Sequence, residues 1–229
     1  MRYYLLLFLT LVLFSCGKDK VVQLPEISHA DISEITDVSA AYLFYDQTLP
    51  DSLELNRKNL ISTTNWLVNI DKRLTLKQVI PQIIFLQEKK GSSSHKNNSA
   101  KNYFTCNDIS KKNLGFIEFT NVVYHPEPFL DFVSANSNLD FSNKMKIDFN
   151  AAEEIYAEFP LFDISATVLN ESNFIKYIKS TSDNQTEGFG IILSFNENLT
   201  FQEYITFKSM LGTLGLKNVS ISNHEFIFN

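Results

Sequence analysis

Cysteine, glycine, clustered histidine and surplus positive charge are all scarce in this chain, and each shortage removes a class of function. Two cysteines in 229 residues cannot build the disulfide framework of a small secreted scaffold. The four histidines, His29, His95, His125 and His224, lie far apart, with no i, i+4 partner and no neighbouring cysteine, so zinc-ligand spacing is missing. Gly188-Phe189-Gly190 lacks the remaining glycine of a dinucleotide fingerprint and precedes a β-prone run instead of opening a helix. Neither a nucleophile elbow nor a metal-protease helix occurs. With 20 Lys+Arg against 26 Asp+Glu the formal charge is −6, so nucleic acid is not an expected partner and anionic headgroups offer no attraction. Long apolar runs are equally few. Tyr3 to Phe14 is one, broken only by Thr10 among its non-aromatic positions. It is too short to cross a bilayer, which takes about 20 apolar residues.

What that run does have is a basic residue before it, Arg2, and Leu13-Phe14-Ser15-Cys16 at its end. This arrangement resembles a bacterial lipoprotein signal: a positive start, an apolar region and a small residue directly before cysteine. Gly17-Lys18-Asp19-Lys20 then turns abruptly polar. The resemblance implies that residues 1–15 are a signal peptide removed on export. Cys16 becomes the lipid attachment site, carrying a diacylglyceryl group and often a further acyl chain such as palmitate. Because each buried CH₂ contributes about 0.8 kcal/mol, two or more chains hold firmly where one holds weakly. Membrane contact is expected through that lipid alone. Gly17 is not the aspartate that retains such proteins at the inner membrane, so the expected location is the outer membrane. Lys18-Asp19-Lys20 resembles a short charged export signal and leaves both the periplasmic and the surface face open. Cys106 is then left without an intramolecular partner, and its setting in Tyr103-Phe104-Thr105-Cys106 points to a buried thiol acting as a small hydrophobe.

Removal of residues 1–15 leaves 214 residues (229 − 15), and the full chain is 44% hydrophobic with 20 phenylalanines, which supports a packed core and excludes general disorder. The expected organisation is a tether over 16–36, a first α+β repeat over 37–130 and a second over 131–229. Trp66 to Gln78 can be laid without a gap over Ile191 to Glu203. Each copy runs from a β-prone segment through a polar turn to Leu-Thr and an amphipathic stretch. Thr75 with Gln78, and Thr200 with Glu203, have capping-box spacing. Leu76, Val79, Ile80, Ile83 and Leu86 mark one helical face. Phe201, Tyr204, Ile205, Lys208, Leu211 and Leu214 mark the other, interrupted only by Lys208. Gly91 and Gly215 sit where helix C-termini favour a left-handed residue, and Pro81 should kink the first helix or displace its regular part. Ala41–Tyr45, Leu114–Phe119, Val122–Tyr124, Asn218–Ser222 and Glu225–Phe228 read as strands. Ala151–Ala157 reads as helical, Ile164–Leu169 as extended and Glu171–Lys179 as a short helix. The expected fold class is α+β, with duplicated β-α-β units forming mixed sheets and helices packed on one face.

The second copy resembles the periplasmic domain of ExbD/TolR-type proteins: a strand, a polar turn, a helix opened by Thr200-Phe201, then Gly215 and the strand Val219-Ser220-Ile221. The resemblance spans about 40 residues here and about 25 in the first copy. It implies the fold and a protein-contact role. Those proteins couple to proton flow through an aspartate in a retained transmembrane helix. Here the apolar run is short, lacks a carboxylate and has a cleavage signal, so energy transduction is not implied.

No catalytic, metal or cofactor site is expected. His125, held in Tyr124-His125-Pro126-Glu127-Pro128, is the best single candidate because prolines can fix a rigid loop. Glu153-Glu154 are adjacent and so do not face one another on a helix. The Asn-x-Ser/Thr triplets at Asn97, Asn170, Asn184, Asn198 and Asn218 carry no weight in a bacterial lipoprotein. Trp66 and the phenylalanines follow strand and helix periods, which points to core. The functional expectation is a non-enzymatic, lipid-anchored envelope protein that contacts another envelope protein, as an accessory of an envelope complex, by strand addition at Glu225–Phe228. The alternative is a ligand-binding lipoprotein for glycan or peptide uptake.

Overall fold

The computed structural model describes residues 20–229 apart from Lys96, 137–138, Ser142, 152–153, 160–166, 185–187 and 216–217. The signal segment, Cys16, Glu153 and residues 164–166 of the expected extended stretch therefore lie outside the described residues. The first half contains β1 (Glu26–Ile27), β2 (Val38–Tyr45), β3 (Leu53–Asn56), β4 (Asn65–Ile70), α1 (Leu76–Gly91), β5 (Asn102–Asp108) and β6 (Asn113–Glu118). The second contains β7 (Val123–His125), α2 (Phe129–Ala135), β8 (Lys144–Ala151), β9 (Glu154–Glu158), β10 (Thr167–Leu169), α3 (Glu171–Asn184), β11 (Phe189–Asn196), α4 (Phe201–Thr213) and β12 (Val219–Phe228). Among the described residues the strands form two six-stranded mixed sheets, one in the order β1-β5-β4-β2-β3 with β6 also on β5, the other in the order β10-β9-β8-β11-β12-β7. The protein is α+β.

The duplication is visible in the topology. The β2–β3 hairpin, the parallel strand β4, helix α1 and the next parallel strand β5 are repeated as the β8–β9 hairpin, β11, α4 and β12. Strand β10 and helix α3 are inserted where the first copy has only a loop. The two copies meet at the N-termini of α1 and α4, where the first backbone N–H groups of any helix lack intrahelical acceptors. Leu76 N–H donates to Leu199 O (2.9 Å) and Lys77 N–H to Glu197 O (2.8 Å). Reciprocally, Phe201 N–H donates to Leu74 O (2.7 Å) and Gln202 N–H to Lys72 O (3.2 Å). Every bond has its counterpart in the other repeat at the Leu76-to-Phe201 offset, around an antiparallel Thr75–Thr200 bridge. Each repeat thus satisfies the orphan donors of the other about a local two-fold. Both helices open with a capping box: Thr75 N–H reaches Gln78 Oε1 (2.8 Å), and Thr200 N–H reaches Glu203 Oε2 (2.8 Å).

One continuous core takes side chains from both sheets and from α1, α3 and α4. In α1 the buried positions are Leu76, Val79, Ile80, Ile83, Leu86 and Lys90, the stripe expected of an amphipathic helix. Helix α4 touches both sheets, through Phe104 on one side and Phe149 and Phe195 on the other.

Several expectations are corrected. The stretch taken as a tether is folded from Lys20 onward: Gln23 N–H meets Asp71, β1 pairs with β5, and Ala30 is buried. Segment 123–130, placed in the first repeat, joins the second sheet through β7 and α2. The helix expected over Ala151–Ala157 is instead the end of β8 and strand β9, because Ile155 and Ala157 alternate into the core and burial outweighs the helix propensity of Ala and Glu. Helix α1 starts at Leu76 and continues through Pro81, so its regular part is not displaced downstream. Gly91 is its last helical residue, and only Gly215 takes a left-handed conformation (φ +56°). Finally, α2 packs on the face of the second sheet opposite the main core, so not all helices share one face.

Candidate functional site

The inner face of the second sheet carries a buried polar chain. Glu225 on β12 is fully buried, accepts the Tyr204 hydroxyl from α4 (2.8 Å) and pairs with the Lys208 ammonium. The Tyr204 hydroxyl also meets that of Tyr124 on β7 (3.1 Å). Burial, with the Glu225 carboxylate as second cause, pushes both phenols well above their ordinary value. This is why a lysine interrupts the apolar stripe of α4. Lys208 also lines a hollow of about 170 Å³ with His29, Asp31 and Glu118, while Glu225, Tyr204 and Tyr124 are buried in the core.

The outer face is different. Strand register lays three rows across it. His224, Ile192, Lys146 and Glu158 form the first; Phe226, Ser194, Asp148 and Tyr156 the second; Phe228, Asn196 and Asn150 the third. Side chains on one face of a strand alternate with period two, so these rows are the reverse of the core residues Ile191, Leu193, Phe195, Ile147 and Phe149. The surface grades from aromatic on β12 to charged on β8 and β9. Helix α2 covers the aromatic half, where Phe129 and Phe132 pack on Ile192 and Phe226.

Two hollows flank α2. On the charged side, Pro128, Phe129, Leu130 and Phe228 stand over Lys146, Asp148, Asn150, Tyr156 and Ser194 around a cavity of about 300 Å³. Its floor is interlocked. Lys146 Nζ bridges Asp148 Oδ2 (2.7 Å) and Glu158 Oε1 (3.0 Å). Asn196 donates to Asn150 Oδ1 (2.7 Å), Asn150 to Glu154 Oε2 (2.7 Å), and the Tyr156 hydroxyl also donates to Glu154. Burial raises the Asp148 carboxyl above its ordinary value, although Lys146 and Ser194 bond to it. Burial acts to lower the Lys146 pKa, but its two carboxylate partners hold it above the ordinary value.

On the other side, Phe132, Leu139, Phe141, Ile192, Ile221 and His224 line an open groove of about 590 Å³. One wall is β12, whose register slips opposite β11: Ile191 faces Ile221, yet Leu193 faces Glu225. Ser222 and Asn223 are thus extra residues, and a bulge of this kind bends a strand and re-aims its side chains. Strand β7 pairs only with His224, Glu225 and Phe226. Among the described residues, Val219–Ile221 therefore pairs with β11 on one side and, like the bulged Ser222 and Asn223, has no strand on the other. No family model, curated protein or solved structure matches the chain.

The residues singled out in the sequence are placed as follows. His125 and His224, 99 positions apart, are brought together with His125 Nε2 and His224 Nδ1 at 2.7 Å. Phe226 and Phe132 pack on the His125 ring. Burial and then His224 depress the His125 pKa below its usual value, with Glu127 opposing. His29 and His95 stay exposed and apart from this pair. Among the described residues no group of three or more His, Cys, Asp or Glu side chains is placed to hold a metal ion, and no helix is long and apolar enough to cross a membrane. Cys106 is buried, and desolvation pushes its thiol up to about 12. Trp66 is core, donating Nε1–H to Ile61 O (2.7 Å). Gly188 and Gly190 are explained by packing: a Cβ on Gly188 would lie 2.5 Å from Asn218 O and one on Gly190 3.2 Å from Lys144 Cγ. The asparagine triplets mark turns and caps, with Asn170 Oδ1 accepting Asn173 N–H (2.9 Å) at the start of α3 and Asn218 in the left-handed region (φ 58°). Within Glu225–Phe228, Glu225 and Phe226 pair with β11 on one side and β7 on the other and Ile227 is buried, so the segment is not an open edge along its whole length.

The sequence missed the groove and the interlocked floor. Both are assembled from strands far apart in the chain. Only the alternation Lys144, Lys146, Asp148, Asn150 against Met145, Ile147, Phe149 hinted at a polar outer face.

Proposed function

We propose that this chain is a non-enzymatic lipoprotein of the bacterial envelope, anchored through Cys16 at the outer membrane, that binds an extended segment of another envelope protein. The observation that carries the binding mode is the half-open strand β12 beside a groove that mixes apolar and polar residues. The unpaired edge of Val219–Asn223 offers backbone hydrogen bonds to an added strand. The groove beside it accepts that strand's apolar side chains on Phe132, Phe141 and Ile192. Two large hydrophobics left in solvent line it: Leu139 (45% exposed) and Ile221 (41%). An exposed apolar cluster of this sort marks an interaction site when rimmed by polar groups, and Asn121, Asp140, Ser222 and Asn223 supply that rim. The hydrogen-bonded pairing of Glu225 with Tyr204 and Lys208 inside the core favours a structural role for these groups and binding over catalysis.

Two experiments test the reading. Cells fed labelled palmitate should label the wild-type protein and not Cys16→Ala; equal labelling of both would remove the anchor. For the groove, linear peptides selected from a displayed library on the chain lacking residues 1–16 should be extended and apolar. Their binding, followed by fluorescence polarisation, should fall by about tenfold or more in Ile221→Glu. Peptides that bind this variant unchanged would place recognition elsewhere.

A further inference from the structure

The hollow on the charged side of α2 shares no lining residue with the groove and asks for a different ligand. Its floor is preorganised, because each polar side chain is already held by a neighbour on its own strand or the next. Hydrogen-bonding capacity is nevertheless left over. An ammonium has three donors, and Lys146 commits two of them to Asp148 and Glu158. The Asp148 carboxylate accepts from Lys146 and Ser194 and keeps lone pairs in reserve, and the Tyr156 oxygen still accepts after donating to Glu154. Donors and acceptors are thus interspersed within one small cavity.

That mixture discriminates among ligands. An anion meets Asp148, with Glu154 and Glu158 close behind. A cation has to displace Lys146 from two carboxylates at 2.7 and 3.0 Å. A purely apolar molecule covers the half-buried floor and leaves its spare capacity unmatched, which costs free energy. A neutral molecule bearing several hydroxyls, each both donor and acceptor, satisfies the floor without breaking it. The upper wall is apolar, formed by Pro128, Phe129, Leu130 and Phe228, and suits the C–H face of a ring. A cavity of about 300 Å³ is at the small end for ligand sites and admits one ring, not a chain of them. We propose that this pocket binds a single neutral sugar ring, a hexose or N-acetylhexosamine.

Saturation-transfer NMR on the chain lacking residues 1–16 tests this with free glucose, galactose, mannose and N-acetylglucosamine, and with lysine amide as the cationic comparison. At least one sugar should receive saturation on its ring C–H protons, with lysine amide receiving none. Tyr156→Phe, which removes one hydroxyl and keeps the ring, should weaken that sugar by about tenfold, and Asp148→Ala should abolish it. Ile221→Glu should leave sugar binding unchanged, separating this pocket from the peptide groove. The proposal is overturned if no sugar receives saturation from the folded wild-type protein, if Tyr156→Phe binds as well as wild type, or if lysine amide binds in place of sugar.

Discussion

Lys208 shows how a single residue can be half legible. Its place on the buried stripe of α4 reads as an interruption of an apolar pattern, which says that something must neutralise it. What neutralises it, Glu225, is 17 positions away on β12, and no local pattern points there. A charge left alone in the core is far costlier than a pair. Glu225→Ala should therefore destabilise the protein by about 3–5 kcal/mol. Lys208→Met combined with Glu225→Leu should cost less than Glu225→Ala alone. Urea denaturation of these two variants and of the single changes Lys208→Met and Glu225→Leu checks this, and strict additivity of the single changes would show that the two groups are not coupled. Cys106 was more readily legible: a thiol in a β-prone aromatic run with no partner is buried, and it is.

Among the elements, those with a start signal and a long period were readable, and short ones governed by register were not. Helix α4 announces itself by Thr200 and Glu203, and the box forms: Glu203 N–H donates to Thr200 Oγ1 (3.3 Å) and Thr200 N–H to Glu203 Oε2 (2.8 Å). Thr200→Ala should cost about 1 kcal/mol in thermal or chemical denaturation, with the inter-repeat bond from Phe201 N–H intact because it is made by backbone alone. Strand β9 was mistaken for a helix because Ala and Glu favour helices locally, while pairing with β8 decides the outcome. The contact between β7, α2 and β12 gives a pH dependence. Burial depresses the folded pKa of His125 below 6.5, so the unfolded chain binds more protons as pH falls through that window. This contribution to stability is complete above about pH 6.5 and is lost as pH drops towards the folded value. The urea midpoint of the wild type should accordingly fall more between about pH 7.5 and about pH 5 than that of His125→Phe; parallel slopes would mean that the His125–His224 contact is not titrating.

For the molecule as a whole, the sequence repeat anticipated two similar units, and the tertiary structure joins them. Their hydrophobic residues form one core, and their helix N-termini complete each other's hydrogen bonds. Halves joined in this way should unfold together. Trp66, the only tryptophan, sits in the first repeat, so its fluorescence reports that half while far-UV circular dichroism reports both. The two denaturation midpoints should coincide. Ile83→Ala in one repeat and Ile205→Ala in the other should each cost about 2–5 kcal/mol and shift the same single transition. A biphasic dichroism curve, with fluorescence following only one phase, would show independent halves.

Periodicity, capping residues and composition were enough to establish an α+β chain, the two principal helices, most of the strands and the repetition that relates them. These properties depend on neighbours within a few residues, which is the range over which hydrophobic period and turn chemistry act. The lipid signal proposed at Leu13–Cys16 rests on the same short range, a length of apolar run and one cysteine. Which strands pair, and therefore which side chains share a face, rests on contacts over long sequence separations. That pairing brought His125 to His224 and Lys208 to Glu225. It turned the terminal segment into an interior strand, opened the edge at Val219–Asn223, and assembled Lys146, Asp148, Tyr156 and Ser194 into one floor.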